Sequence, residues 1–244
     1  GEGKQMQEQL EKVRRILSSS RRMVFFGGAG VSTESGVPDF RSQDGLYRQK
    51  YAYPPETILS HSFFLSHTEE FFAFYREKML FPDVQPNAAH KKLAEWEREG
   101  RLSAVITQNI DGLHQKAGSR RVLELHGSVW RNHCMDCGKS YPLEYILHGT
   151  GVPRCSCGGI VKPDVVLYEE PLDESVLLAA VEEISKADTL IIGGTSLNVY
   201  PAAGLIDYFR GENIVVVNKG ATARPLEGVC MVDEKIGEFF SHLG

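Results

Sequence analysis

Residues that could bind a nucleotide follow directly on the apolar run at positions 23–26, where Gly28, Ala29 and Gly30 form a Gly-rich turn. A strand, such a turn and then a helix make up a dinucleotide-phosphate site, because glycine lets the backbone approach a pyrophosphate and helix N–H groups attract anions. An ordinary strand-to-helix turn also uses glycine, so the turn alone leaves both interpretations open. Thr33 replaces the third glycine of the dehydrogenase fingerprint, and no acidic residue ends a second strand roughly 20 residues later, which argues against hydride transfer.

The segment that follows, residues 38–42, is polar and aromatic. It offers the ring of Phe40 and the guanidinium of Arg41 beside the expected phosphates. We expect these side chains to bind the nicotinamide end of a dinucleotide.

A second group of polar side chains follows the apolar run at residues 104–107: Gln108, Asn109 and Asp111, with Ile110 among them. Ligands of open α/β sheets bind at the carboxyl ends of the strands, so these amides and the carboxylate could bind a carboxamide and ribose hydroxyls. Asn and Asp also favour turns for local reasons, and that alternative stays open.

A third candidate is His126, which follows a predicted strand at residues 122–125 and precedes Gly127. A single histidine is more often structural than catalytic. Its position at a strand end and its near-neutral titration make it a candidate general base.

Four cysteines form two pairs, Cys134 with Cys137 and Cys155 with Cys157. Pairs at this separation predict a structural zinc site. Four thiolates would fill the coordination of the metal, so no position would remain for a catalytic ligand. Disulfides are the competing interpretation, disfavoured if the compartment is reducing. We expect the fifth cysteine, Cys230, to be a small buried side chain.

The composition fits one large domain with a small insertion: 244 residues, 42% hydrophobic, net charge −5. The negative charge argues against a protein that mainly binds nucleic-acid backbone. No apolar run could span a membrane and no signal-peptide core is visible, so we expect a soluble, cytoplasmic protein.

Alternating strands and helices predict an α/β fold with a doubly wound, Rossmann-like parallel sheet. Strands are predicted at residues 23–26, 104–107, 122–125, 165–168, 189–193 and 214–218. Helices are predicted at residues 88–99, 174–186 and 234–243, and an opening amphipathic helix has an apolar stripe of Met6, Leu10, Val13 and Leu17.

We expect a single catalytic domain over residues 1–244, made of three parts. Residues 1–46, 84–130 and 160–244 would form the Rossmann-like part. Residues 47–83 would form a cofactor loop and a helical flap, and residues 131–159 the zinc-binding module. Aromatic residues of the flap would build a small core: Phe63, Phe64, Phe71, Phe72 and Phe74.

The order of these motifs resembles the sirtuin family of NAD-dependent protein deacylases, of bacterial type. The resemblance rests on five segments that cover nearly the whole chain: residues 28–32, 36–42, 107–111, 126–127 and 194–197. The family usually has Cys-x-x-Cys where this chain has Cys155-Ser156-Cys157, so the second knuckle must differ in geometry.

The resemblance implies an NAD-dependent protein-lysine deacetylase. The acyl oxygen would attack C1′ of the nicotinamide ribose and nicotinamide would leave. His126 would then act as general base on a ribose hydroxyl, giving lysine and O-acetyl-ADP-ribose. A protein ADP-ribosyltransferase, a deacylase of another acyl group and a non-enzymatic NAD sensor are the alternatives.

The resemblance also implies residue roles. Asn109 and Asp111 would be catalytic with His126, and Phe40 would shield the reacting ribose. The remaining expected cofactor contacts are Gly28, Ala29, Gly30, Thr33, Arg41, Gln108, Ile110, Gly194, Thr195, Ser196, Asn218, Lys219 and Ile236. The partner would be an acetyl-lysine protein or peptide, with no nucleic acid and no membrane, bound by a monomer.

The substrate peptide would add as a strand to residues 162–170, with Val165, Val166 and Tyr168 in contact. Glu169 replaces the glycine that the family has there, and could favour basic peptides or point to solvent. Succinyl-preferring relatives have Tyr-x-x-Arg in the flap; here Tyr75 is followed by Lys78, which lacks the bidentate fork, so we expect acetyl.

Overall fold

The computed structural model describes residues 1–39, 51–220 and 229–243. The predicted cofactor contacts Phe40 and Arg41 lie outside this part of the chain.

The strands, in chain order, are β1 (Met23–Gly27), β2 (Leu102–Thr107), β3 (Val122–Glu124), β4 (Gly127–Cys134), β5 (Ser140–Pro142), β6 (Val161–Val165), β7 (Thr189–Gly193), β8 (Asn213–Val217) and β9 (Cys230–Val232). The α-helices are α1 (Glu2–Ser19), α2 (Gly30–Thr33), α3 (Pro55–Ile58), α4 (His61–Ser66), α5 (Thr68–Lys78), α6 (Ala88–Arg98), α7 (Leu113–Lys116), α8 (Leu143–Leu147), α9 (Glu174–Lys186) and α10 (Ile236–Leu243), and a 3-10 helix covers Ala202–Tyr208.

Six strands form one parallel sheet in the order β3-β2-β1-β7-β8-β9. This is the doubly wound order, and it confirms the predicted fold class. The chain moves outward in one direction from β1 through β3 and in the other from β7 through β9. Ligands of such sheets bind where the direction reverses, outside the carboxyl ends of β1 and β7.

Both faces of this sheet are covered, because side chains of a strand alternate between them. On β1, Met23 and Phe25 pack in one core with α1, α6 and α10, while Val24 and Phe26 pack in another with α9 and the 3-10 helix. Burial on both sides explains why these strands are continuous apolar runs in the sequence.

Local signals account for where the helices begin. The Asp173 side chain accepts hydrogen bonds from the first backbone N–H groups of α9, and Asn87 forms a capping box at α6. The predicted stripe on α1 is wrong at Met6, whose side chain is 70% exposed, whereas Val13 and Leu17 are buried.

A smaller antiparallel sheet of β5, β4 and β6 continues beyond the large one. The strand predicted at residues 165–168 of the parallel sheet is therefore wrong: the strand is β6, it ends at Val165 and it pairs with β4. Beyond it, Tyr168 forms only an isolated parallel bridge with Ser60 of the flap. β4 spans the expected boundary of the zinc module at residue 131, whereas β6 begins after the other expected boundary, at residue 159.

The helical flap and the smaller sheet share one core. The five flap phenylalanines are buried as predicted, and they pack with Val129, Leu143 and Val161. Among the described residues, no helix is long and apolar enough to cross a membrane.

Candidate active site

A cavity of about 380 Å³ lies at the carboxyl ends of β1, β2 and β7, below the flap. Three loops meet there because parallel strands end at one edge of the sheet. Most predicted contact residues line the cavity: Gly28, Ala29, Gln108, Asn109, Ile110, Asp111, His126, Gly194, Thr195, Ser196, Val165, Val166 and Tyr168.

The Gly-rich turn after β1 packs directly against the turn after β7. A Cβ atom on Gly30 would lie 2.7 Å from Cα of Gly194, and one on Gly28 would lie 3.0 Å from the side chain of Thr195. The N–H of Gly30 donates to the Gly194 carbonyl at 2.8 Å. Only glycine allows this approach, so the turn is built to bring bare backbone to the rim of the cavity.

Asn109 connects the loop after β2 to the Gly-rich turn. Its Nδ2 group donates to the Gly28 carbonyl at 2.8 Å and to the Ser32 hydroxyl at 3.2 Å. Gln108 connects the same loop to β7 through a 3.3 Å bond from Nε2 to the Thr195 hydroxyl. The amides are therefore held in place by their neighbours on both sides.

Asp111 is held by the opposite end of this loop. Its Oδ1 accepts the Leu113 N–H at 2.9 Å, and its carbonyl accepts the Trp130 indole N–H at 2.8 Å. Burial raises the pKa of the carboxyl group, against the lowering effect of hydrogen bonds from Ser32 and Leu113. A partly dehydrated carboxylate of this kind is a strong acceptor for a hydroxyl group.

His126 lies at the floor of the cavity after β3. Its Nδ1 lies 2.9 Å from the Gln108 carbonyl oxygen, which can only accept, so Nδ1 carries the proton. The lone pair of the neutral ring is then on Nε2. Orientation of one imidazole nitrogen by a carbonyl leaves the other as a base, which is the arrangement that general-base catalysis requires.

Among the residues that the structure describes, five predicted cofactor contacts do not line this cavity. Gly30 supports it through Gly194, and Thr33 is exposed with its hydroxyl on the Gly30 carbonyl. Asn218 and Lys219 follow β8, next along the sheet, and Ile236 is buried at the start of α10. Of the residues expected to bind the adenosine half, Gly194, Thr195 and Ser196 therefore line the cavity, whereas Asn218, Lys219 and Ile236 do not.

The segment after β6 lies along another wall of the cavity. The Val166 N–H donates to the His126 carbonyl at 2.8 Å, which ties this segment to the candidate base. The Tyr168 N–H donates to Leu59, and its carbonyl accepts the His61 N–H, both at 2.9 Å. The backbone of Tyr168 is therefore paired with the flap.

Glu169 has a backbone φ of 76°, the left-handed conformation that glycine adopts most easily. Its carboxylate accepts the Ser62 N–H at 2.8 Å and the Ser62 hydroxyl at 3.1 Å. The side chain is exposed, and these two bonds fasten the segment to α4. A preference for basic peptides stays a prediction.

Glu170 completes this connection. Partial burial opposes its ionisation, but the Leu167 N–H, His61 and Lys162 bind its carboxylate and the net effect lowers the pKa. The distances are 2.9 Å to the Leu167 nitrogen, 2.8 Å to His61 Nδ1 and 3.4 Å to Lys162 Nζ.

Sequence reasoning missed several cavity residues. Leu59, Met79, Val129, Trp130 and Leu143 line it from the flap and the smaller sheet. They are ordinary apolar residues, and only the packing of distant segments brings them to the site, so no local signal could have identified them. Ser32, which binds both Asn109 and Asp111, belongs to the Gly-rich segment at residues 28–32.

The four paired cysteines come together as predicted. Their sulfur atoms all lie within 4.8 Å of one another, and none forms a disulfide. Backbone N–H groups of Asp136 and Cys137 donate to the Cys134 sulfur, and the Tyr141 hydroxyl donates to the Cys155 sulfur at 3.0 Å. The Cys157 N–H and the Tyr141 hydroxyl lower the pKa of the Cys155 thiol to about 6.

Four converging sulfurs, of which those of Cys134 and Cys155 have hydrogen bonds that lower the pKa of the thiol, fit a tetrahedral zinc ion that has no open position. The shortened second pair is compatible with this geometry. The fifth cysteine, Cys230, is buried on β9, as expected.

Comparisons with known proteins agree with this geometry. The model of the Sir2 family matches residues 28–201. An NAD-dependent protein deacetylase of Clostridium acetobutylicum is 59% identical over 235 residues, which are 95% of this chain and 96% of that protein.

Two solved structures are similar over nearly the whole chain. A Sir2–p53 peptide–NAD+ complex has a TM-score of 0.84 at 38% identity and covers 96% of both chains. A Sir2 complex with the inhibitor EX-527, 2'-O-acetyl-ADP-ribose and deacetylated p53 peptide has a TM-score of 0.82 at 37% identity, with the same coverage.

Proposed function

The chain belongs to the Sir2 family, and on this basis we propose that it is an NAD-dependent protein-lysine deacetylase that transfers the acetyl group to ADP-ribose. The observation that carries the residue assignment is the bond between His126 and the Gln108 carbonyl beside the loop of Asn109 and Asp111. It joins a fixed base to the loop that would hold the ribose.

The glycine contacts support a dinucleotide at this edge of the sheet, because Cβ atoms on Gly28, Gly30 or Gly194 would fill the close approach between the two turns. We assign Gly28, Ala29, Gln108, Thr195 and Ser196 to cofactor binding. Asn218, Lys219 and Ile236 are proposed for the adenosine half, and Phe40 and Arg41, outside the described residues, for the phosphates and ribose. When bound, NAD supplies the ADP-ribose acceptor and loses nicotinamide.

Within the reaction, His126 would accept a proton at Nε2 from a ribose hydroxyl. The Gln108 carbonyl would stabilise the resulting imidazolium, because Nδ1–H already points at it. Asn109 and the dehydrated Asp111 carboxylate would orient the ribose and the carboxamide. The apolar wall of Leu59, Met79, Val129, Trp130 and Leu143 would keep water from the acetyl group.

An acetyl group is the acyl chain that the cavity supports. Tyr75 and Lys78 both line the cavity, while the guanidinium between them, on Arg76, donates to the carbonyls of Ile146 and Gly151, each at 2.7 Å. Arg76 is therefore used to join the flap to the zinc module. No arginine is among the described residues that line the cavity, so a succinyl carboxylate would lack a bidentate partner there.

The substrate is an acetyl-lysine protein or peptide, and a similar solved structure is of Sir2 bound to an acetylated peptide. We propose that it runs beside residues 165–168, with Val165 and Val166 in contact and the side chain of Tyr168 at the mouth of the cavity. The side chain of Tyr168 is 36% exposed and lines the cavity, which supports this contact.

We further propose three parts of the chain: a Rossmann-like part (residues 1–46, 84–130 and 160–244), a cofactor loop with the helical flap (residues 47–83), and a zinc module (residues 131–159). The zinc module would hold a structural zinc ion. We also propose that the protein is monomeric and cytoplasmic. Five unpaired cysteines suit a reducing compartment. The net charge of −5 gives no support to nucleic-acid binding.

The test is mass spectrometry of an acetyl-lysine peptide incubated with the protein, with and without NAD. We expect NAD-dependent loss of the acetyl mass together with O-acetyl-ADP-ribose. ADP-ribose attached to protein, with the peptide unchanged, would instead support a transferase. Faster loss of a succinyl than of an acetyl group would refute the acyl assignment.

A further inference from the structure

The Gly-rich turn and α2 are held from outside by one side chain that does not line the cavity. Nδ2 of Asn87 donates to the Val31 carbonyl at 2.7 Å and to the Ser35 hydroxyl at 2.9 Å. Val31 is within α2 and Ser35 follows it. Both hydrogens of the Asn87 amide are therefore used on the segment that begins at the Gly-rich turn.

The oxygen of the same amide caps α6. Oδ1 of Asn87 accepts the Ala89 N–H at 2.9 Å, and the Asn87 N–H donates to Nδ1 of His90 at 3.1 Å. This reciprocal pair is a capping box. Because the oxygen faces an N–H group and the nitrogen faces a carbonyl, only one orientation of the amide satisfies all of these partners.

The connection continues from His90 to the second cofactor loop. The His90 ring lies 4.8 Å from the ring of His114, centroid to centroid, and both side chains are buried. His114 is on α7, which directly follows the loop that contains Asn109 and Asp111. A continuous contact path thus joins the turn after β1, the start of α6 and the loop after β2.

From this path we propose that Asn87 is a positioning residue for NAD binding, which fixes the Gly-rich turn relative to the loop of Asn109 and Asp111. The proposal rests on the assignment of the cavity to NAD. Asn87 acts through Val31 and Ser35 and does not touch the cofactor. Asn87 affects the turn that packs against Gly194. It does not contact the peptide wall at residues 165–168, which belongs to other elements.

The decisive variant is Asn87→Asp. Aspartate keeps the cap acceptor for the Ala89 N–H and is as good an N-cap as asparagine, so α6 remains capped. It loses both Nδ2 donors and places a carboxylate oxygen against the Val31 carbonyl, so only the link to the turn is broken. The matched control is Asp173→Asn, the reverse exchange at the N-cap of α9, a helix that is not part of this path.

The Kd for NAD is measured by titration calorimetry, with KM for NAD and for the acetyl-peptide, kcat and the unfolding temperature. For Asn87→Asp we expect Kd and KM for NAD to rise about tenfold, the effect of losing one or two hydrogen bonds to the turn. The peptide KM should change less than about twofold, because the cost falls on NAD. The control should leave the NAD constants unchanged.

An unchanged Kd for NAD in Asn87→Asp would overturn the proposal, as would an equal rise in both KM values. If Asn87→Asp fails to fold, Ser35→Ala decides: it removes one acceptor and keeps the cap, and we expect a smaller rise in the NAD Kd with an unchanged peptide KM. An unchanged Kd there refutes the link. Wild-type protein that binds NAD without deacetylating refutes the proposed function alone; wild-type protein that does not bind NAD refutes both.

Discussion

Acidification should destabilise the protein through the buried histidine pair before its carboxylates are protonated. Burial lowers the pKa of His90 from 6.5 to about 4, and burial together with the nearby His90 charge lowers the pKa of His114. The Nδ1 lone pair of His90 accepts the Asn87 N–H, so protonation would also replace this acceptor with a donor.

The direction of the change in the free energy of unfolding follows from the protons bound by the folded and the unfolded chain. Below about pH 6.5 the unfolded chain binds a proton at this position, while the folded protein stays neutral until about pH 4. The free energy of unfolding therefore falls as the pH is lowered through this window. For His90 alone, a shift of this size gives a loss of about 2 kcal/mol between about pH 7.5 and pH 5. His114 adds to the loss in the same direction.

The assay is urea unfolding at a series of pH values, followed by tryptophan fluorescence. His90→Gln is the matched variant, because glutamine can accept the Asn87 N–H at the same capping-box position and does not titrate. We expect its free energy of unfolding to fall by about 2 kcal/mol less than that of the wild type over this range. Equal pH dependence in the two proteins would refute the account of His90 as a buried neutral base.

Three further predictions concern the cofactor turn, the substrate wall and the zinc module. Gly30→Ala should greatly weaken NAD binding measured by calorimetry, because the new Cβ would lie 2.7 Å from the Gly194 backbone. The control Gly204→Ala should leave NAD binding unchanged, because its Cβ would lie 3.7 Å from the nearest atom. Glu170→Gln should raise the KM of the acetyl-peptide several-fold and leave the KM for NAD unchanged, because the hydrogen bonds to the charged carboxylate are weakened by about 1 kcal/mol. Tyr141→Phe should release zinc to a colorimetric chelator faster than wild type, because the thiolate of Cys155 loses a donor; equal release rates would contradict this role.

The sequence predicts the large sheet well because its signals are local. Strands buried on both faces are continuous apolar runs, and the predicted helices at residues 88–99 and 174–186 begin directly after the capping side chains of Asn87 and Asp173. The zinc cluster follows from cysteine spacing alone. The loops that follow β1, β2 and β7 converge because parallel strands end at one edge of the sheet, and this can be predicted from the sequence.

Other features depend on contacts between distant segments. The strand expected at residues 165–168 is an apolar run, but its partners are in the smaller sheet and the flap, and pairing with them moves the strand to Val161–Val165. The role of Glu169 depends on Ser62 and on a left-handed backbone, neither of which a sequence pattern displays. The path from Asn87 to His114 likewise exists only once α6 packs beside α7.

The central claim is that His126, oriented by the Gln108 carbonyl, is the base for acetyl transfer to ADP-ribose. Its most direct test compares wild type with His126→Ala, incubated with acetyl-peptide and NAD, by quantifying peptide, nicotinamide and O-acetyl-ADP-ribose, with NAD binding measured on both proteins. We predict equal amounts of the three products from wild type, and from the variant retained NAD binding with O-acetyl-ADP-ribose reduced by a factor of about 100 or more. Undiminished O-acetyl-ADP-ribose from His126→Ala would contradict the account.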